Sequence, residues 1–419
     1  VGAYFISNIL QAGMQLAFVP ILTRTLGTAE FGRWGLFEPA IGILSMVILF
    51  GTNWGLLKLV NLDALEVKSA LVAIVRRGWP FALLILLLTS WGGFALTGNL
   101  AVSLAMPAVV AAEGALALLL AGARAYGSPL AYASGVLTKV ASLTALVGLV
   151  ALANPALLRT ASDLLIYWAI CVVLAAVICA VTLWRVTSEA KQQIVTVQAV
   201  DGAVKYGLPL LLAAIMGAFL ANGDRYLLQR FVSPEALGGY IVLCKVVGAM
   251  NFLINPVSLW WPTARFTHLR DDDGGRRFFV ASAELFAAVF SGAAAGLWAL
   301  SPWLAELFAP SVEFMPSVAL ALCVAMVFRA MEPSLNIGLL KEGKTHWSIL
   351  TVGSGALVQL IMCLLLIPHW GPTGAAIGTA ISGAVSLLMV HGFSQRFHFV
   401  PFRYFHIGLW LLLPWVIGG

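Results

Sequence analysis

Apolar residues run through this chain in blocks of about 20, the length an α-helix needs to cross the hydrocarbon of a bilayer. Short polar breaks separate them. The blocks predict helices near residues 3–23, 34–57, 78–97, 99–123, 130–152, 163–184, 206–230, 236–260, 278–300, 315–339, 346–367 and 373–394. Residues 404–419 form one more apolar run, short for a crossing, and read as a C-terminal tail or a truncated extra helix. The chain begins at Val1 and not at Met, which points to a trimmed N-terminus. No signal peptide with a small-residue cleavage site is evident, so the first helix is expected to serve as its own insertion signal.

The blocks repeat. Arg24, Phe31, Gly32, Trp34 and Trp54 correspond to Arg230, Leu237, Gly238, Tyr240 and Trp260 at a constant offset of 206. Met106-Pro107 corresponds to Met315-Pro316, and Arg124 and Asn154-Pro155 to Lys341 and Gly371-Pro372, the offset drifting to 217 as loops lengthen. Six helices are thus followed by six more. Because six is even, both halves enter the bilayer from the same side, and the repeat is parallel. The expected fold is all-α: a polytopic membrane protein of about twelve helices in two six-helix bundles related by a pseudo-two-fold axis. The expected division is an N-terminal lobe over 1–190, a linker over 191–204, a C-terminal lobe over 205–396 and a tail over 397–419.

Composition agrees: 61% of residues are hydrophobic and 10% charged, against about 25% charged in a typical soluble protein. Of the 24 Lys and Arg residues, sixteen fall on one set of loops and flanks, five on the other, and three inside helices. Positive charge stays on the cytoplasmic side, which predicts a cytoplasmic N-terminus. The net charge of +6 is dispersed over loops, not gathered on one face, so membrane lipids and not nucleic acid are the expected partners. Five cysteines lie inside predicted helices without metal-binding spacing, and neither a disulfide framework nor a metal or other cofactor is expected.

The three intrahelical cations, Lys139, Lys245 and Arg329, carry the functional signal. A charge at the bilayer centre costs several kcal/mol and persists mainly where it faces a polar cavity. Their sign points to an anionic substrate. For Lys139 and Lys245 the alternatives are snorkelling or pairing with Glu113, and Arg329 and Glu332 at i, i+3 equally form a structural pair. Polar positions gather on helix faces: Asn8, Gln11 and Gln15 on helix 1, Asn251 and Asn255 on helix 8, Arg329, Glu332 and Asn336 on helix 10, where Pro333 is expected to kink the chain. These read as cavity lining, or for the glutamines as hydrogen-bonding glue between helices. Glu38, Glu113, Asp224 and Glu332 are the carboxylates placed to carry a proton or cation. Gly374, Gly378 and Ser382 at intervals of four read as close-packing residues. No Gly-rich phosphate loop of the ATPase type is present, which argues against ATP as the energy source and against an enzyme of that class.

The run Pro20-Ile-Leu-Thr-Arg24-Thr-Leu-Gly27-Thr-Ala-Glu30-Phe-Gly-Arg-Trp34 resembles the first helix and outer loop of bacterial polysaccharide transporters, the O-antigen and exopolysaccharide flippases. Tyr206-Gly-Leu-Pro, Asn222-Gly-Asp-Arg-Tyr226 and Pro234-Glu-Ala-Leu-Gly-Gly-Tyr240 are similar to their seventh helix and following turn. Asn255-Pro256, Trp261-Pro262-Thr-Ala-Arg265 and Gly371-Pro-Thr-Gly-Ala-Ala resemble their eighth and twelfth helices. The resemblance implies movement of an undecaprenyl-diphosphate-linked oligosaccharide from the inner to the outer leaflet by alternating access. It also implies partnership with polysaccharide polymerase and export machinery and a diphosphate held by cavity cations; Arg24 lies in a matching segment, and Lys139, Lys245 and Arg329 join it as candidate diphosphate ligands by their depth and sign. Two rivals stand beside it: a cation-coupled multidrug antiporter of the same superfamily, which would favour a carboxylate-dominated pocket, and a membrane-embedded polymerase or ligase of lipid-linked sugars.

Overall fold

The computed structural model describes residues 2–61, 63, 65–187, 195–269, 271, 273, 275–310, 312–341 and 346–418. Among the described residues every regular element is helical, and ten helices are long and apolar enough to cross a bilayer. Two of these ten are double. Helix α1 (Gly2–Ile48) is broken at Gly27, with φ 75° and ψ 170°, and a helix over His346–Phe397 is broken at Gly371, with φ 52° and ψ −128°. Both glycines hold a positive φ that side-chain-bearing residues reach only under strain. Each break falls where the apolar blocks predict a turn, so ten helices supply twelve crossings. The protein is an all-α, multi-pass membrane protein.

The chain forms two compact units, Val1–Ile215 and Met216–Gly419. The first holds both arms of α1, then α2 (Thr52–Asn61), α3 (Val67–Thr97), α4 (Leu100–Tyr126), α5 (Pro129–Ala153), α6 (Ala161–Val186) and the first part of α7 (Val197–Leu228). Helix α4 sits at its centre, packed on α1, α2, α3, α5 and α6. Side-chain caps end the connecting loops: Asn99 accepts from the Ala101 N–H, Ser128 from that of Ala131, and Thr160 and Asp163 form a reciprocal capping box. Only 11% of the crossing part of α3 is buried, and Trp79, Leu83, Leu87 and Trp91 stand exposed on it. An apolar surface of that kind belongs against lipid.

The second unit continues α7 and adds α8 (Pro234–Val247), α9 (Asn251–His268), α10 (Arg276–Phe308), α11 (Pro316–Leu335), α12 (Gly338–Lys341), α13 (His346–Phe397) and α14 (Tyr404–Gly418). Helix α11 is its hub, 72% buried along its crossing part and packed on α8, α10, α13 and α14. Its start, Met315-Pro316, is the repeat partner of Met106-Pro107 in α4, so the sequence repeat matches the two hubs. The apolar tail is helical in α14. His391 Nε2 lies 3.1 Å from the Tyr404 hydroxyl, and Arg403 and His406 lie 3.8 and 3.6 Å from Glu284 of α10.

Three helices that the apolar pattern reads as continuous are interrupted. The second crossing stops at Ile48, turns through Phe50 and Gly51, both at positive φ, and resumes as α2. The eighth tightens into a 3₁₀ turn over Gly248–Met250 between α8 and α9. The tenth ends at Leu335 instead of kinking at Pro333, and the backbone N–H groups of Ile337 and Gly338 donate to Ser394 Oγ, both at 2.9 Å. Hydropathy carries no signal for these breaks, because the residues on either side are equally apolar. Residues 188–194, which hold the start of the expected linker, lie outside the described residues, and the division between the units falls within α7.

Candidate functional site

Three helices of the first unit converge on one carboxylate. Lys139 Nζ on α5 lies 2.6 Å from Glu113 Oε1 on α4, and the Trp168 indole N–H on α6 donates to the same oxygen at 2.7 Å. The ammonium also stands 5.9 Å from the Trp168 ring centroid, and the Trp34 ring packs 4.9 Å from that of Trp168. With side chains only 22% and 14% exposed, Lys139 and Glu113 are mostly withdrawn from solvent and neutralise each other. Of the sequence alternatives for Lys139, pairing with Glu113 is the one seen. An anion approaching Lys139 must therefore compete with Glu113. The first turn has a structural use here too: Glu30 pairs with Arg33 and accepts the Ala161 N–H at 2.8 Å, tying α1 to the start of α6.

The second unit buries a different carboxylate. Asp224 on α7, 2% exposed, accepts a hydrogen bond from the Tyr240 hydroxyl of α8, one from Thr379 Oγ1 on the second arm of α13 at 3.4 Å, and one from the Arg225 N–H at 2.9 Å. The chain continues: Gln359 Nε2 donates to Thr379 Oγ1 at 3.5 Å, and Ser382 Oγ donates to Gln359 Oε1 at 3.0 Å. Hydroxyl groups of α8 and α13 thus meet a buried carboxylate of α7, and the Arg225 side chain lies close enough to act on it electrostatically. These donors stabilise the buried carboxylate, and a proton or cation binding there would compete with them and with Arg225.

The remaining sequence candidates are scattered over both units. Arg24 is exposed three residues before the Gly27 break, and Glu38 is half-buried on the second arm of α1. Gln11 is half-buried and Gln15 exposed on the first arm; the side chain of Asn8 lies outside the described residues. Lys245 is half-buried in the last turn of α8, directly before the 3₁₀ turn, and Arg329 is exposed on the otherwise buried α11, one turn before half-buried Glu332. Asn251 and Asn255 are exposed on α9, and Asn251 Nδ2 donates to the Gly248 carbonyl at 2.8 Å. Asn336 caps α11, its carbonyl accepting from Arg265 at 3.3 Å, while its side-chain oxygen is buried without a hydrogen bond.

Thr379, Gln359 and Trp168 are participants with no place in the sequence reading, and Tyr240 entered it only as a repeat and motif position, not as a site residue. Gln359, polar in the middle of an apolar block, was the available signal. Gly374 and Gly378 do pack closely, Gly378 with room for a Cβ only 3.0 Å from Cys363 Sγ. Among the described residues no group of three or more His, Cys, Asp or Glu side chains is placed to hold a metal ion.

Solved structures share this fold. A lipid II flippase, MurJ, in an inward closed conformation is similar over 100% of this chain and 96% of its own, with a TM-score of 0.72 at 12% identity. An inward-facing multidrug resistance MATE family transporter of the MOP superfamily is similar over 92% and 94%, with a TM-score of 0.70 at 12% identity. A MATE protein in complex with MaL6 is similar over 94% of each chain, with a TM-score of 0.67 at 11% identity. No curated protein matches the sequence. Residues 1–264, well over half of the chain, match the polysaccharide biosynthesis protein family, and the chain belongs to that family.

Proposed function

We propose that the protein is a flippase that moves undecaprenyl-diphosphate-linked oligosaccharide from the inner to the outer leaflet of the bacterial cytoplasmic membrane by alternating access, with its N-terminus cytoplasmic, for surface polysaccharide synthesis. The observation that carries this reading is a cation within an apolar crossing of a polysaccharide-family chain: Arg329 stands exposed on α11, whose crossing is 72% buried. A diphosphate loses its hydration on entering hydrocarbon, and a guanidinium returns it as paired, charge-assisted hydrogen bonds. Lys245 of the same unit supplies further positive charge; Arg24, and Lys139 once Glu113 releases it, are the candidate cations of the first unit. Asp224 is the carboxylate best placed to couple an ion to the cycle, because its hydroxyl partners, Tyr240 and Thr379, come from two other helices.

The fold is equally that of multidrug transporters, and the buried Asp224 favours a cation-coupled antiporter as the second reading. The two readings separate on cargo. Cells that depend on this protein for polysaccharide export should lose export when Lys245 and Arg329 are replaced by Ala, with lipid-linked oligosaccharide accumulating on the inner leaflet and the variants still present in the membrane. Normal export by both variants would reject the assigned role.

A further inference from the structure

A slot of about 610 Å³ opens in the first unit between α1, α2, α3, α4 and α7, a size within the roughly 300–1,000 Å³ of ligand pockets. The break between α1 and α2 creates it. Phe50, at φ 49°, turns the chain there and packs on Phe81 of α3 at 4.6 Å. Opposite, α4 contributes Ala111, Gly114 and Ala115, side chains too small to fill the space.

The slot has a polar end and a lateral opening. At the rim Arg77 of α3 lies 3.4 Å from Asp201 of α7, with side chains 59% and 47% exposed. Arg76 beside it and Lys205 on α7 are exposed, and Lys58 stands 6.0 Å above the Tyr206 ring. Trp79 and Leu83 line the slot and are also exposed, so it opens through the lipid-facing side of α3. Along α3 the lining runs from Ile74 to Leu86, and Leu86 lies nine residues from Arg77, or about 14 Å at 1.5 Å per residue. That is about half of the roughly 30 Å hydrocarbon thickness.

We propose that this slot holds one chain of an anionic glycerophospholipid, with the lipid phosphate on Arg77 in exchange for Asp201. A slot that runs from the charged interface to the bilayer midplane matches the chain of a lipid in a single leaflet; a polyprenyl chain is far longer. The surrounding cations select an anionic head group, and an exposed ion pair such as Arg77–Asp201 yields readily to a phosphate. Because the lipid wedges against the α1–α2 break, its occupancy fixes the bend of the second crossing.

The test uses the full chain, purified and delipidated in detergent, and titrated with phosphatidylglycerol, phosphatidylcholine of the same chains, or undecaprenyl phosphate. Phosphatidylglycerol should raise the melting temperature and phosphatidylcholine should not. Arg77→Gln and Ala115→Trp should lose that shift, whereas Asp201→Asn should enlarge it by freeing Arg77. Equal losses in Arg77→Gln and Asp201→Asn would mean a structural clamp and would overturn the proposal, as would an equal response to phosphatidylcholine. Should Ala115→Trp fold poorly, a phosphatidylglycerol carrying a diazirine on its chain decides with the wild-type protein. Adducts should map to residues 74–86 and 111–118. Adducts elsewhere, or their loss to competing undecaprenyl phosphate, would refute the assignment.

Discussion

Removing one member of the Lys139–Glu113 pair should damage the protein far more than removing both. At 2.6 Å two unit charges in an effective dielectric of about 20 attract by about 6 kcal/mol. Most of that gain is offset by the desolvation of both groups. Breaking such a pair leaves an orphan charge, and removal of one partner from a buried pair costs about 3–5 kcal/mol. The side chains keep 22% and 14% exposure, which places the expected cost nearer about 3 kcal/mol. Lys139→Met leaves Glu113 with Trp168 as its remaining donor, and Glu113→Leu strands an ammonium among apolar helices. Lys139→Met combined with Glu113→Leu should return to within about 1 kcal/mol of wild type. Denaturant unfolding in detergent gives the stabilities, and an export assay on the same four proteins separates the roles. Restored stability with lost export means that the charged pair acts in transport; restored stability with restored export means that the pair is structural. Single variants each within about 0.5 kcal/mol of wild type, an ordinary surface effect, would refute the reasoning.

Three further outcomes follow. A Cβ at Gly207 would land on the Gly51 carbonyl, so Gly207→Ala should force α7 away from the α1–α2 break and lower stability by about 1–3 kcal/mol, read by thermal melting. Asp224→Asn keeps the shape that Tyr240 and Thr379 surround but removes the charge, and should abolish the ion dependence of transport with folding intact; unchanged ion dependence would exclude Asp224 as the coupling group. In the loop before α10, the backbone N–H groups of Arg277 and Gly275 hold the Asp273 carboxyl below the usual carboxylate range. A depressed value contributes stability that is present above the unfolded-state value of about 4 and lost as pH falls through the folded one. Asp273→Ala should therefore lower the melting temperature near neutral pH and converge with wild type in acid.

The crossings were legible because hydrophobic burial in lipid demands about 20 apolar residues in a row, and that demand is written residue by residue. Even the merged helices announced their breaks, since Gly27 and Gly371 sit in the polar gaps. The interruptions at Phe50–Gly51 and Gly248–Met250 were not legible, because a change in backbone conformation within an apolar run alters neither length nor hydropathy. Asp224 and Glu113 stood out as charges in hydrocarbon. Their partners did not: Tyr240, Thr379 and Trp168 are ordinary membrane residues, and only the packing of separate helices brings their hydroxyl and indole groups to the carboxylates. Lys139 shows the same limit from the other side, since spacing along the chain left lining and pairing both open.

Transfer of the cargo itself is the most direct test. The purified protein, reconstituted in vesicles with undecaprenyl-diphosphate-linked oligosaccharide confined to one leaflet, should move it to the other, as read by a lectin or glycosidase that reaches only the receiving side. Vesicles carrying the Lys245→Ala, Arg329→Ala protein should fail to do so. Absence of transfer by the wild-type protein, together with ion-driven uptake of a cationic drug by the same vesicles, would contradict the account.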